Sequence, residues 1–465
     1  MEGYYLMPHP PLIIPRVGRG QEKQIQKTID GCNAIGLEID RSGIHTIIVI
    51  TPHGTVFRDA VALTGIENLK GDFGKFGAKQ VSFDIKIDLT LTHEIIREAE
   101  KAQIAVAALN RENAKSYGVS LELDHGAAVP LSFVKSLDKI ELVHITYGML
   151  SPIELYSFGR AIEKACQKTG TRAAIIASGD LSHRLTKDGP YPYSPYGAKF
   201  DSRLLELLEQ GDFKGLFNLD GTMITEAGEC GLRSLYILAG ALDGKDAKAE
   251  ILSYEGPFGV GYGVARFMVS EGRSIFDDIK NLGRERHVKR LEEGPAYTRL
   301  ARRNIENFFR TGKSLTVKDI KDIELLNDRK GVFVSLKLAG ELRGCIGTIE
   351  AVTGSVGEEI LNNSISAAFN DPRFSPLREE ELYQLDISVD LLYPAEKCSF
   401  EDLDPESYGV IVTSGRKRGL LLPMLEGIDS SEEQVSIALQ KAGIGKNQSY
   451  EIERFKVERF KEVEA

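Results

Sequence analysis

The stretch HTIIVITPHG, residues 45–54, joins a continuous apolar run to a histidine that follows it. Similar runs recur at residues 104–109, Glu141–Thr146 and Ala173–Ser178, and a helical pattern extends over Pro152–Thr169. Runs that are apolar at nearly every position are typical of strands covered on both faces. Their alternation with helical segments predicts an α/β domain with a central, mostly parallel sheet.

This α/β pattern occupies residues 1–268 of a chain of 465 residues, which is too long for one domain of about 150 residues. Residues 269–294 are highly charged and end near a Gly-Pro pair, so we interpret them as a linker. Residues 295–465 mix strands and helices, which predicts an α+β domain. Its predicted elements include strands at Gly331–Leu338, 342–347, Leu385–Leu392 and 409–422, a turn at residues 339–340 and a closing helix.

Composition excludes several classes of protein. Acidic residues outnumber basic ones, 68 to 58, so the net charge of −10 argues against a protein that binds nucleic acid. No apolar run approaches the ~18 residues needed to cross a membrane, and the first residues lack the basic start of a signal peptide. The five cysteines are scattered and form no CxxC pair, as expected of reduced thiols in the cytoplasm.

Four of the eight histidines follow strand patterns or lie beside Gly and Pro in loops: His9, His53, His125 and His183. In open α/β sheets, ligands bind outside the carboxyl ends of the strands, so we expect these four side chains to converge at one edge. We assign the remaining histidines to structural roles: His45, His93, His144 and His287.

A cluster of histidines suits metal binding and proton transfer, because neutral imidazole is a common metal ligand that titrates near pH 7. Two histidines and one carboxylate can hold Fe(II) with positions left open for substrate and dioxygen. The candidate carboxylates are Glu226 and Glu229, which precede an apolar helical segment together with Cys230.

Four motifs then occur in order: MPHPP (residues 7–11), TPHG (51–54), DHGAAVPL (124–131) and SGDLSH (178–183). In these motifs residues 1–268 resemble the LigB-type catalytic subunit of class III extradiol ring-cleaving dioxygenases. The resemblance implies that His9, His53 and an acidic residue, best matched by Glu229, bind ferrous iron. It further implies that His183 is the general base and that His125 lies beside the substrate hydroxyl or the bound oxygen.

The identity of the third ligand stays open among Glu229, Glu226 and Cys230, since the related Memo-type proteins have a cysteine at a comparable place. Fe(II) is the cofactor that the resemblance implies, with another divalent metal such as Zn²⁺ as the alternative. The implied partners are a small aromatic substrate and O₂, and family members often pair as homodimers.

The second domain carries LRGCIG (residues 342–347) and NDPRF (370–374), and in these motifs it resembles the AMMECR1 family. Proteins of this family are associated with LigB- or Memo-like proteins and a radical-SAM protein, so the resemblance implies a radical-SAM partner. Four residues form a candidate site for an anionic ligand: Arg343, Cys345, Asp371 and Arg373. The alternatives are a structural ion-pair network and a buried structural cysteine.

These observations predict a cytoplasmic, Fe(II)-dependent extradiol dioxygenase-like oxidoreductase fused to an AMMECR1 domain. The second hypothesis is a Memo-like metal-binding protein that does not cleave rings and acts with the AMMECR1 module and a radical-SAM partner in a modification or assembly pathway. A third is a metal-dependent enzyme without redox chemistry that uses the same cleft.

Overall fold

The computed structural model of the protein describes residues 1–338, 340–423, 428, 430–445 and 448–463. The chain divides into two compact units, Met1–Leu282 and Gly283–Ala465. Ala339, the first residue of the turn predicted at residues 339–340, lies outside the described residues. No helix in the described part of the chain combines the length and apolarity needed to cross a membrane.

The first unit is built on a large sheet and a separate two-stranded ribbon. Its strands are β1 (Gly3–Met7), β2 (Thr46–Thr51), β3 (Val61–Thr64), β4 (Asn68–Phe73), β5 (Ala78–Lys86), β6 (Val106–Leu109), β7 (Glu141–Thr146), β8 (Ala173–Ser178), β9 (Lys245–Glu255) and β10 (Tyr262–Glu271). The large sheet has the order β6-β3-β7-β2-β8-β1-β10-β9, and β4 and β5 form the two-stranded ribbon. Strand β2 is parallel to both β7 and β8, and β8 is parallel to β1, whereas β9 and β10 form an antiparallel edge.

Helices cover both faces of this sheet. They are α1 (Pro15–Gly18), α2 (Gln26–Ser42), α3 (Leu89–Lys101), α4 (Arg111–Tyr117), α5 (His125–Leu131), α6 (Pro152–Thr169), α7 (Pro195–Gln210), α8 (Phe213–Leu216), α9 (Gly221–Ala227) and α10 (Leu232–Ala241). Along β2, Ile48 belongs to the core that contains Leu155 of α6, and Ile47 to the core that contains Ile35 of α2. Because alternate residues enter different cores, the whole strand is apolar, and the predicted α/β architecture is confirmed.

The charged segment at residues 269–294 is largely one helix, α11 (Phe276–Glu293), and the boundary between the two units falls inside it. In its second half, His287 and Arg290 are buried. The ring of His287 is hydrogen-bonded to the fully buried Arg302, which in turn binds Glu462 at 2.5 Å. The segment assigned to a linker therefore supplies core residues to the second unit, and His287 has the structural role expected of it.

The described residues of the second unit form two antiparallel four-stranded sheets, β12-β11-β13-β18 and β14-β17-β15-β16. The strands are β11 (Gly331–Leu338), β12 (Glu341–Gly347), β13 (Leu385–Leu392), β14 (Glu396–Lys397), β15 (Gly409–Ser414), β16 (Lys417–Leu421), β17 (Glu451–Phe455) and β18 (Val457–Lys461). The helices are α12 (Ala296–Thr311), α13 (Glu324–Asn327), α14 (Val356–Phe369), α15 (Glu379–Leu382) and α16 (Ser431–Ala442). The unit thus has the predicted α+β class.

Two details of that unit differ from the sequence prediction. The run at residues 409–422 is a hairpin of β15 and β16 with Gly415 in the left-handed region at φ +60°. The predicted closing helix is α16, but it is followed by β17 and β18, which pair with strands of different sheets. Strongly charged segments such as Val457–Lys461 lack the apolar pattern that identified the other strands.

Candidate metal centre

Three neighbouring strands of the large sheet end at the same edge and carry the candidate site. His9 follows β1, His53 follows β2, and the segment with Asp180 and His183 follows β8. These strands are parallel, so their carboxyl ends lie side by side, as expected for a ligand site in an α/β sheet. His125 is brought to the same place as the first residue of α5.

Three histidines form the core of the site. Ligand atoms of His9, His53 and His125 all lie within 4.8 Å of one another, the one such group among the described residues. The Nε2 atoms of His9 and His53 are 2.9 Å apart. The ring of His125 stacks on that of His53 with centroids 4.1 Å apart. Three of the four loop histidines that were predicted to converge therefore lie together in this group.

The tautomer of His9 follows from its hydrogen bonds. The Ser178 hydroxyl donates to the carbonyl oxygen of Gly126, so its oxygen accepts a hydrogen bond from Nδ1–H of His9 at 2.9 Å. With Nδ1 protonated, Nε2 carries a lone pair that faces His53. A partner on the outer ring nitrogen commonly fixes a metal-binding histidine in this way.

The electrostatics of the cluster favour neutral imidazoles. Burial and the neighbouring His53 hold the pKa of His9 well below its ordinary value. Burial, with His53 and His9, lowers the pKa of His125 to about 3, and burial also lowers the pKa of His53. Neutral imidazole is the form that binds a metal, so protons compete little for these nitrogens near pH 7.

The geometry of His9 and His53 fits a shared metal ion. Two imidazole nitrogens about 2.1 Å from one ion, and at a right angle to each other, are about 3 Å apart. The observed 2.9 Å between the two Nε2 atoms is a hydrogen-bond distance that is also close to this spacing, so one ion could take the place of the hydrogen bond between the rings. The side chain of His9 is 2% exposed, whereas that of His53 is exposed. The pair therefore combines one ring fixed in the protein interior with one ring that solvent can reach.

His183 lies at the rim of the cluster. Its backbone N–H donates to Ala227 O at 3.0 Å, and its ring stacks on Tyr191 with centroids 5.1 Å apart. Burial lowers the pKa of His183, so its ring is neutral near pH 7 and able to accept a proton. It is not a member of the three-histidine group, so the role of base predicted for it requires no metal coordination.

Of the three proposed third ligands, only the cysteine points at a histidine of the group. The Glu229 carboxylate accepts from Leu232 N at 2.6 Å and so caps α10, and burial raises its pKa to about 7. Glu226 accepts from Ser194 and lies 3.6 Å from Arg184. The sulfur of Cys230, in contrast, is 3.6 Å from Nε2 of His9. The structure does not bring Glu229 or Glu226 into the histidine group.

Sequence reasoning missed two carboxylates beside the cluster. Asp180 accepts from the backbone N–H of His9 at 2.8 Å, has Oδ2 4.0 Å from His9 Nε2, and has its pKa raised to about 6 by burial. Asp124 caps α5 and accepts from Thr51 and from His144, at 2.6 and 2.8 Å. Although burial opposes its ionisation, these bonds hold the pKa of Asp124 below its ordinary value.

A signal for both carboxylates was present in the sequence. Asp180 lies inside the SGDLSH motif and Asp124 directly precedes His125. His144, assigned to structure, does have a supporting role, because it holds Asp124 from inside β7 and is itself bonded to Thr64 at 2.8 Å.

In the second unit, the four candidate residues form ion pairs and hydrogen bonds with one another and with Glu381. Arg343 binds both carboxylate oxygens of Glu381, at 2.8 and 3.1 Å. Arg373 binds both oxygens of Asp371, at 2.9 and 2.7 Å. Asp371 also accepts from the backbone of Cys345, whose thiol pKa is raised by burial. This is the ion-pair network of the alternative interpretation, and the thiol is held protonated.

A mostly parallel sheet with three histidines gathered outside its strand ends defines an α/β domain with a candidate metal centre, here joined to an α+β domain. The family model of the catalytic LigB subunit of aromatic ring-opening dioxygenase matches residues 3–265, more than half of the chain, and the AMMECR1 model matches residues 298–463. The chain belongs to the LigB family and carries an AMMECR1 domain after its LigB domain.

Relatives share this organisation in whole or in part. A Clostridium acetobutylicum protein is 46% identical over 465 residues and covers 99% of both chains. A Thermotoga maritima protein is 46% identical over 168 residues, which are 36% of this chain and 97% of its own. The solved structure of an uncharacterized Pyrococcus horikoshii protein is 31% identical, covers 37% of this chain and 91% of its own, and has a TM-score of 0.34.

Proposed function

We propose that the LigB domain is an Fe(II)-dependent enzyme that opens the ring of a catechol-type aromatic with O₂. The observation that carries this proposal is the 2.9 Å approach of the Nε2 atoms of His9 and His53 at the carboxyl edge of the sheet. Membership of the LigB family supports the reaction class. Zn²⁺ is the alternative metal, and it would support only chemistry without electron transfer.

His9 and His53 would hold the metal, with Cys230 or His125 as the further protein ligand. A bound Fe(II) would supply Lewis acidity and a common site for the substrate oxygens and O₂. Ser178 keeps the Nε2 lone pair of His9 available. Because His53 is exposed, a metal held by its ring would be accessible to a small substrate from the solvent side.

Two further histidines have roles in proton transfer and hydrogen bonding, and the role of His125 applies where Cys230 is the further ligand. The neutral ring of His183 can accept a hydroxyl proton as a catechol binds. His125 can donate a hydrogen bond to a substrate oxygen or the developing oxygen charge. Its position is set by Asp124, which caps α5 and is itself held by His144 and Thr51.

A second candidate function is a Memo-like metal-binding protein that does not open rings. It is favoured by the sulfur of Cys230 at 3.6 Å from His9 and by the engagement of Glu229 in capping α10. In this proposal the AMMECR1 domain works with a radical-SAM partner in the modification or assembly of another molecule.

The two functions predict different results with iron-loaded protein. A dioxygenase purified without oxygen and loaded with Fe(II) should consume O₂ and yield a ring-opened chromophore from at least one member of a catechol panel. An oxygen electrode measures the consumption of O₂, and absorbance spectra of the same sample measure the ring-opened product. Absence of both signals at full iron occupancy contradicts the dioxygenase and leaves the Memo-like function.

The identity of the third ligand is tested by substituting two adjacent residues, Cys230 and Glu229, one at a time. Cys230→Ala should lower metal affinity by more than about 100-fold if the thiolate is a ligand, since even supporting residues of metal sites have effects of about 10- to 100-fold. Glu229→Ala should leave metal stoichiometry unchanged and lower the free energy of unfolding by about 1 kcal/mol, the usual effect of a lost helix cap. Metal analysis after dialysis and denaturant unfolding measure the two effects. The reverse pattern would restore Glu229 as the ligand.

A further inference from the structure

We propose that Phe76 and Tyr191 form an aromatic clamp, two rings that select a planar aromatic substrate over an aliphatic ligand at the histidine cluster. This inference rests on the proposed function and adds the residues that distinguish one substrate class. Phe76 packs edge-on against His125, with ring centroids 5.3 Å apart. Tyr191 stacks on His183 at 5.1 Å, with an angle of 23° between the rings. Each ring therefore adjoins one of the two histidines with a proposed role in proton transfer or hydrogen bonding.

Phe76 is presented by the β4–β5 ribbon. The ribbon turns through a short 3-10 segment, Gly74–Phe76, followed by Gly77 at φ +80°, a conformation suited to glycine. Phe73, at the end of β4, is fully buried and anchors the base of the turn, with its ring 6.3 Å from that of Phe76. Phe76 itself is 36% exposed. An anchored turn thus holds a large apolar ring at the surface beside His125.

Tyr191 is presented by the segment between β8 and α7. The stem of this segment is closed by a hydrogen bond from Ser194 N to Arg184 O at 3.0 Å, and Leu185 N donates to Gly259 O. Gly189 lies so close to Gly259 that an added side chain would meet its Cα at 3.2 Å. Tyr191 is 49% exposed although one face covers His183. This second anchored loop therefore offers another partly exposed ring.

Partly exposed aromatic rings beside the two histidines favour a flat apolar ligand. An aromatic pair in edge-to-face or offset-stacked geometry contributes beyond simple burial of area. A catechol ring held by two oxygens can meet such rings, whereas a small aliphatic chelator leaves them in water. The clamp therefore favours a planar aromatic diol without contacting its hydroxyl groups.

The test compares two metal-binding probes by titration calorimetry on the full-length, Fe(II)-loaded protein under argon. 4-Nitrocatechol supplies an aromatic ring, and acetohydroxamate is a small chelator without one. Phe76→Leu and Tyr191→Leu should each raise the Kd of 4-nitrocatechol by about 3- to 10-fold, the range expected for one lost aromatic contact. The Kd of acetohydroxamate should change less than about 2-fold by the same reasoning.

Two controls separate the clamp from structural effects. Tyr191→Phe keeps the ring and should bind 4-nitrocatechol as the parent protein does. Tyr193→Leu removes a tyrosine of similar exposure, 48%, from the same loop and should have no effect. Equal changes for both probes, no change for either, or no binding of 4-nitrocatechol by the parent protein would overturn the clamp. Selective changes without O₂ uptake in air would leave the clamp standing and contradict only the dioxygenase.

Discussion

Replacing His53 by alanine should abolish stoichiometric metal binding. The side chain supplies one of the two Nε2 atoms that lie 2.9 Å apart, and removing it leaves His9 without the partner that defines the site. A supporting residue of a metal site is worth about 10- to 100-fold in affinity, so loss of a direct ligand should exceed about 100-fold. Metal content after anaerobic reconstitution and dialysis gives the measurement.

His53 is a better first target than His9 because of where the two rings lie. His53 is exposed, so its removal leaves the packing of the core intact, whereas His9 is 2% exposed. His93→Ala is the matched control, since His93 is an exposed histidine on α3. The thermal unfolding midpoints of the parent protein, His53→Ala and His93→Ala should be similar. Full metal occupancy in a His9/His53 double variant would refute the site.

The sequence was sufficient to predict the apolar strands β2, β6, β7 and β8 of the first unit and the convergence of histidines at one edge of the sheet. Glu141–Thr146, Ala173–Ser178 and the helix Pro152–Thr169 have the predicted bounds, because buried strands and amphipathic helices have local patterns. Placing His9 and His53 together needed only the rule that parallel strands end at one edge.

The third ligand could not be predicted in the same way. Glu229 precedes a helix, and a carboxylate there can either bind a metal or cap the helix; the two roles look alike in sequence. The choice depends on the direction of the loop, which places the Cys230 sulfur 3.6 Å from His9 Nε2. Likewise, Arg343 pairs with Glu381, and no local pattern links residues 38 positions apart.

Replacing His183 by alanine should leave metal binding intact and reduce turnover by about 10²- to 10⁴-fold, the usual contribution of a general base. The ring lies outside the three-histidine group, so its loss removes no metal ligand. Anaerobic metal analysis and O₂ uptake with the best catechol measure the two effects separately. His45→Ala, which removes an exposed histidine before β2, is the matched control and should retain both properties.

The pH dependence distinguishes a base from a residue that only shapes the site. Falling pH protonates His183 and removes its ability to accept a proton, so turnover should decline on the acidic side. Because burial lowers the pKa of His183, this decline should begin below the ordinary value of 6.5. His183→Ala should lose that acidic limb along with most of its rate, and added imidazole should restore part of the rate. A variant that keeps the limb, or loses its metal, would show that His183 is not the base.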